Sequence, residues 1–407
     1  MTAQAKPRFN ILNHTHKQTQ IGQIESPNGP IPKLSDEFWT AKQRQLHSLH
    51  YAVSYRASFK PELPDFFIRK LTKPGDTVGD PFGGRGTTVL QAVILDRRGM
   101  GNDVNPLFER ITYPKINPVS IEGVEERMES INLSKDRDLS GEEKMNMFYH
   151  PETYKELLNL RDYLKSNRDD IDRFLEMIAI SRLHGHSTGF FSAYSFPQIS
   201  IPKENQIKIN KTRGVEPDYR EVKTRIIKKA RSVLKDGDER RISELGRKSV
   251  LTVQDARDLR TWKSNSVNLI VTSPPFLNQV DYFLDNWIEH WFCDIDISKL
   301  KERLVQTADL DEWMQFISDS LAEAYRVLVK GGMLAIEVGE VRYQGRILNL
   351  DETVVSLTWA KRFNAGQFKV KEVYIQSQEF TKLAHCFNVK NNTLGTNSNR
   401  IILMERI

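Results

Sequence analysis

The chain has 407 residues, 39% of them hydrophobic and 28% charged, with a formal net charge of +6. That length supports a substantial core and more than one structural unit. No stretch reaches the roughly 18 uninterrupted apolar residues of a membrane span, and MTAQAKPRFN lacks the apolar centre of a signal peptide, so a cytoplasmic protein is expected. Its two cysteines, Cys293 and Cys386, cannot build a disulfide framework and form no CxxC pair, so no metal site is expected.

In chain order, residues 1–55 show little periodicity and read as an N-terminal arm. From 56 to 119 the pattern changes. Phe66, Phe67, Ile68 and Leu71 suit one side of a short helix, and KPGD turns the chain into TVGDPF. A strand is predicted at about 76–80, a glycine-rich turn at 82–86, a helix at about 87–96, and a second strand at RRGMGNDV. This β-α-β unit implies parallel strands with a right-handed crossover. Residues 120–248 carry helical patterns, an aromatic loop HSTGFFSAYSFPQISIP, and a basic stretch with a helix across DYREVKTRIIKKARSVLKD. The β/α pattern resumes over 249–407 with VLTVQDARDL, VNLIVTSPPF, a helix near 311–328, GGMLAIEVG, and terminal strands around VKEVYIQS and RIILMERI. The fold class is therefore α/β, a mostly parallel sheet flanked by helices and split in sequence by a largely helical basic insertion.

Two turns stand out. DPFGGRGTT lies where a strand passes into a helix, the position at which open parallel sheets bind ligands. Gly83, Gly84 and Gly86 let a ligand approach the backbone. A phosphate-binding P-loop would need Gly-Lys-Ser/Thr, whereas Thr87 and Thr88 follow Gly86; a dinucleotide fingerprint would need GxGxxG, whereas Gly84-Arg85-Gly86 leads into Thr87, Thr88 and Val89. Asp103, 23 positions after Asp80, ends the second strand, where it can accept hydrogen bonds from two ribose hydroxyls. Together these features indicate an adenosyl ligand held without a pyrophosphate. In the second turn the strand VNLIV stops at Ser273-Pro274-Pro275-Phe276, and two consecutive prolines fix two φ angles and remove two backbone donors.

This pair of motifs resembles the S-adenosylmethionine-dependent amino-methyltransferases that act on DNA bases. DPFGGRGTT is similar to their cofactor motif, TSPPF to their Ser/Asp/Asn-Pro-Pro-aromatic catalytic motif, and Phe59 to Phe82 to the segment holding the methionine part of the cofactor. The likeness covers roughly 56–110 and 250–345. It implies a Rossmann-like class I methyltransferase fold with a seven-stranded sheet and S-adenosyl-L-methionine as cofactor. The implied cofactor residues are Phe59, Asp80, Pro81, Phe82, Gly83, Gly84, Gly86, Thr87, Asp103 and Asp255, the last beside the adenine. The motif order, cofactor before catalytic, is the reverse of that in many Ser-Pro-Pro relatives.

An exocyclic amine is a poor nucleophile because its lone pair is conjugated into the ring. Ser273 Oγ and the Pro274 carbonyl are the candidates to accept its two N–H groups, with Pro275 as the rigid mount and Phe276 stacking on a flipped base. Serine at the first position marks cytosine-N4 targets in that family, with adenine-N6, an RNA base methyltransferase and a non-catalytic nucleic-acid binder as alternatives. The resemblance implies double-stranded DNA as partner and a restriction-modification setting with a cognate restriction endonuclease. Between Lys203 and Lys248 there are fifteen Lys/Arg against eight Asp/Glu. Lys203, Lys208, Lys211, Arg213, Arg220, Lys223, Arg225, Lys228, Lys229 and Arg231 are the candidate phosphate contacts, and this segment is the expected target-recognition region. Phe190, Phe191, Tyr194 and Phe196 either stack on bases or form a small cluster holding their loop. His184 and His186 have no accompanying ligand set. Asn278 to Phe292 is expected to close the pocket, with Asp281 and Tyr282 orienting the target base.

Overall fold

The computed structural model describes residues 19–35, 46–55, 58–197, 199–277, 284–301, 307–377 and 398–407. The strands are β1 (Thr19–Ile24), β2 (Ile31–Ser35), β3 (Thr77–Asp80), β4 (Arg98–Asn102), β5 (Val250–Thr252), β6 (Val267–Thr272), β7 (Leu328–Val338), β8 (Glu340–Tyr343), β9 (Arg346–Asn349), β10 (Phe368–Ser377) and β11 (Ser398–Arg406). Nine of them form one sheet in the order β1-β2-β10-β11-β7-β6-β3-β4-β5. β7, β6, β3, β4 and β5 run parallel, and β11 lies antiparallel between β7 and β10.

The last seven strands in that order are the expected Rossmann-like sheet. The arm corrects the sequence reading: residues 19–35 form an antiparallel hairpin whose β2 pairs in parallel with β10 and extends the sheet to nine strands. Its strand TQIGQI exposes nearly every side chain, so the backbone ladder holds it and no alternation of apolar residues announces it. β8 and β9 form a separate hairpin, closed by Gln344 and Gly345, both at positive φ as a two-residue turn of this type demands.

β6 is buried along most of its length because helices cover both faces of the sheet, which is why VNLIVT reads as an apolar run. One face packs on the helix Glu62–Leu71 through Leu63, Phe67, Leu269, Val271 and Ala335. The other packs on the helix Leu310–Val327 through Trp313, Ile317, Ile270 and Ile336.

The insertion comprises the helices Ile121–Ser130, Pro151–Ser166, Asp170–Ile180, Lys203–Arg213, Val222–Val233 and Glu239–Gly246. It is not a detached unit. Leu157, Phe174, Ile178 and Ile226 share one buried cluster with Val89, Leu90 and Ile111, which lie behind the glycine turn. Phe190 and Phe191 are buried within the fold, so of the two readings of the aromatic loop they take the packing one.

Candidate active site

A cleft with about 830 Å³ of open space lies at the carboxyl ends of β3, β4 and β6. Phe59, Pro81, Phe82, Gly83, Gly84, Thr87, Asp103, Asp255, Ser273 and Pro275 all line it. Residues separated by almost 200 positions in sequence meet there because β3 and β6 are neighbouring parallel strands, with Val78 opposite Leu269 and Gly79 opposite Ile270.

The glycine turn is tightly fitted below and open above. A Cβ on Gly83 would stand 2.3 Å from the Phe108 ring, and one on Gly86 2.3 Å from Thr112, with Gly86 also at φ 76°. Gly86 precedes the helix Thr87–Ile94 directly. At Gly84 the nearest neighbour is the Tyr55 ring at 3.8 Å, so this is the position where a ligand can lie on the backbone.

Two carboxylates, Asp103 and Asp255, line the cleft and a third, Asp80, lies buried behind it, each in a different state. Asp80 is fully buried behind the turn; its Oδ1 accepts from Thr272 Oγ1 (2.6 Å) and from the Phe82 amide (3.1 Å), while Oδ2 is buried with no partner. Burial pushes its carboxyl up to about 7 despite these bonds. An orphaned carboxylate oxygen of this kind suits a cationic group of a ligand. Asp103 accepts the Gly84 amide on Oδ2 (2.8 Å) and the Asn105 amide on Oδ1 (2.9 Å). Each oxygen keeps a lone-pair position for a ribose hydroxyl. Burial raises this carboxyl as well. Asp255 is clasped by Arg257, whose Nε and Nη2 both donate to it, at 3.0 and 2.6 Å. Its carboxylate therefore reaches the cleft as half of an ion pair.

On the β6 side, the Pro275 carbonyl accepts Trp313 Nε1–H at 2.9 Å, which anchors the Pro-Pro turn to the helix Leu310–Val327. Pro274 is buried, and Phe276 is half-buried against the cluster containing Trp313. From the helix Leu310–Val327 the cleft takes the Phe316 ring, 5.7 Å from Phe82 between centroids. Ser273 lines the cleft and stands beside Glu337 of β7, whose ionised carboxylate its side chain favours. Asp281 and Tyr282 lie outside the described residues.

Sequence reasoning missed Tyr55, Ser58, Asn105, Ala256 and Phe316 in the cleft wall, and Glu337 with Asn399 behind Ser273. Glu337 did leave a signal, as a single acid inside the apolar strand LVKGGMLAIEV. Asn105 is a hub: Oδ1 accepts the Leu107 amide at 3.0 Å, and the side chain meets His290 Nε2 at 3.1 Å.

The basic residues divide sharply. Lys208, Lys211 and Arg213 are exposed, with Arg213 over the Tyr194 ring at 3.9 Å. Lys203 pairs with Glu143, Lys223 with Glu129 and Arg231 with Glu125. Arg225 donates to the carbonyls of Thr188 and Glu221, and Lys229 to that of Tyr51. Arg220 corrects the sequence reading. It is 7% exposed and donates to the carbonyls of Ser187, Phe190 and Ser192, so it ties the aromatic loop together and is not a surface cation. Lys228 stays exposed. His184 pairs with Glu289 at 2.6 Å, and Ser200 Oγ donates to the other oxygen of the same carboxylate.

The family described as DNA methylase matches residues 5–114 and 267–402, more than half of the chain. The chain belongs to the DNA methylase family. Its insertion falls in the gap between the two matched stretches. Type II methyltransferase M.BsoBI of Geobacillus stearothermophilus is 24% identical over 281 residues, covering 63% of this chain and 54% of that protein. Type II methyltransferase M.MjaI of Methanocaldococcus jannaschii is 43% identical over 60 residues, 15% of this chain and 20% of that protein. The matches thus span about half or less of these relatives' length. Among solved structures, the rRNA methyltransferase aviRa from Streptomyces viridochromogenes is 10% identical, with 90% of this chain and 96% of that chain covered at a TM-score of 0.35.

Proposed function

We propose that this chain transfers a methyl group from S-adenosyl-L-methionine to the exocyclic amine of a base flipped out of double-stranded DNA, with cytosine N4 as the target. The observation that carries this reading is the convergence of the Asp80–Gly86 turn and the Ser273–Pro275 turn on one cleft at the carboxyl ends of adjacent strands. The cofactor is S-adenosyl-L-methionine, and the residues present fit it. The open face of Gly84 gives it backbone to lie on, Asp103 offers two acceptor oxygens to a ribose, Phe82 and Phe316 provide apolar wall, and the unpartnered Asp80 oxygen suits an ammonium. Bound there, it supplies a methyl group already made electrophilic by a sulfonium.

The chain's own residues then position the nucleophile. With its hydroxyl turned toward the neighbouring Glu337, Ser273 Oγ has lone pairs left to accept from the target amine. The Pro274 carbonyl takes the second N–H, held in place by two proline rings and by the Trp313 bond to the next carbonyl. Phe276, half-buried against the Trp313 cluster, offers the exposed part of its ring for stacking on the flipped base. Extruding a base costs a few kcal/mol, which binding along the duplex must supply. The exposed cations of the helix Lys203–Arg213 suit that role. Serine in place of a carboxylate favours cytosine N4. The Type II relatives support a restriction-modification setting with a cognate endonuclease.

The deciding experiment incubates the chain with labelled S-adenosyl-L-methionine and varied duplex DNA, then digests to nucleosides. N4-methylcytosine is the expected product. N6-methyladenine would move the target to the other base, and label on structured RNA alone would move the substrate. Absence of any methylated nucleoside overturns the reading.

A further inference from the structure

We propose that Glu337 is a positioning residue that takes up the proton released by the methylated amine, receiving it through Ser273. This rests on the role given to Ser273 above and extends it to a residue outside both motifs.

The strand register carries the argument. β6 and β7 run parallel with Thr272 opposite Ile336, so the next residues, Ser273 and Glu337, lie side by side at the carboxyl edge of the sheet. Leu269, Val271, Ala335, Ile401 and Leu403 belong to one apolar cluster on a single face of β6, β7 and β11. Ser273, Glu337 and Asn399 continue the same alternation, so three polar side chains end an otherwise apolar face. Glu337 is 4% exposed; Asn399 Nδ2 donates to its Oε1, and the Ser273 side chain, its neighbour across the strand pair, favours the ionised carboxylate.

Both neighbours acting on Glu337 among the described residues are neutral. Charged groups on the surrounding elements are engaged elsewhere. Arg400 of β11 is tied to Asp351 and Glu340, Arg69 of the covering helix to Asp65, Lys70 to the Tyr374 hydroxyl, and Asp80 of β3 to Thr272. No described cation holds Glu337 ionised, and burial pushes its carboxyl up to about 7. A carboxylate poised there accepts a proton at neutral pH, whereas an amide in its place keeps an acceptor oxygen for Asn399 but cannot take up the proton.

The step balances. The nitrogen–carbon bond forms as the carbon–sulfur bond breaks, and that bond's electron pair stays on sulfur. The nitrogen passes one proton to Ser273 Oγ while the serine hydroxyl proton moves to Glu337. The positive charge of the sulfonium and the negative charge of the carboxylate disappear together, so no net charge is left in the buried site.

The test compares the wild-type chain with Glu337→Gln and Ser273→Ala in single turnover on duplex DNA, beside cofactor binding by calorimetry. For Glu337→Gln the methylation rate should fall about a hundredfold, with the cofactor Kd within twofold. Below pH 7 the wild-type rate should rise about tenfold per pH unit and then level off, because only the ionised carboxylate accepts a proton; the glutamine variant should lack this limb. Infrared titration gives a readout independent of turnover. Protonated-carboxyl absorption that bleaches near pH 7 should lose the Glu337 component in Glu337→Gln and keep it in wild type and Ser273→Ala, the components of Asp80 and Glu176 being common to all three and cancelling in the difference spectrum. A glutamine variant within threefold of wild type, or one keeping the same inflection, overturns the inference. If the glutamine variant does not fold, a wild-type profile flat around pH 7 does the same. Ser273→Ala separates the two levels: if it keeps its rate, the reading of the site itself fails, whereas if it loses turnover and Glu337→Gln does not, only the role of Glu337 fails.

Discussion

The helices Lys203–Arg213 and Val222–Val233 are both rich in lysine and arginine, yet they use their charge differently. The first lies largely exposed, anchored by Gln206 and Asn210, which reach the carbonyls of Tyr194 and Met147. It begins beside the segment that follows the Ser-Pro-Pro turn, where Trp287 Nε1 donates to the Ile201 carbonyl and Ser200 Oγ to Glu289. The second helix buries Val222, Ile226, Ala230 and Val233 and satisfies most of its cations internally. It also carries the strap before the cofactor cleft. Lys229 donates to the Tyr51 carbonyl at 2.9 Å, Ser48 Oγ to that of Val233 at 2.5 Å, and His47 meets Asp238 at 2.8 Å. Charge in a sequence therefore measures potential, and packing decides whether it faces a partner or the protein itself.

That contrast can be broken experimentally. The largest effect is expected from replacing Lys208, Lys211 and Arg213 together by glutamine. The slope of log binding constant against log salt for DNA should drop by about 3 and affinity should fall at least a hundredfold, with thermal stability unchanged. An unchanged slope in a filter-binding or anisotropy series would place the phosphate contacts elsewhere. Next in size is Arg220→Ala. Its removal leaves the buried carbonyls of Phe190 and Ser192 short of a donor, so it should cost about 2–3 kcal/mol, read by denaturant unfolding. A shift below about 0.5 kcal/mol would return Arg220 to the surface set.

A smaller effect concerns pH. Burial pushes the Asp238 carboxyl up, but hydrogen bonds from His47 and Arg241 outweigh it and hold the group at about 2. Its contribution is present above the ordinary carboxylate value near 4 and is lost as pH falls toward 2. Amide exchange at 48–52 should accelerate across that window in wild type and be already raised at pH 5 in Asp238→Asn. Equal protection in both would detach the strap from the insertion. The smallest effect is expected for Lys223→Gln, which breaks only the exposed pair with Glu129 and should change stability by less than about 0.5 kcal/mol.

The two turns of the site were legible because each combines residue types with few other uses: glycines where a Cβ would strike Phe108 or Thr112, and paired prolines that end a buried strand. Asp103 was legible by its place at the end of β4. Phe316, Tyr55 and Asn105 were not, since an aromatic on an amphipathic helix or a polar residue before one reads the same wherever it faces. The hairpin Thr19–Ser35 escaped because an exposed edge is held by backbone bonds that no side-chain pattern records.

By itself, then, the sequence determined the alternating β/α order, the two strand-ending turns and the polar atoms they present, all of which depend on local backbone conformation and on which atoms a side chain carries. Only the tertiary structure decided that the turns share one cleft, that Glu337 stands behind Ser273, and that Arg220 belongs to the interior while Lys208 belongs to the surface. Those outcomes depend on strand order, register and burial, which are properties of contacts between residues far apart in the chain, and no local pattern encodes them.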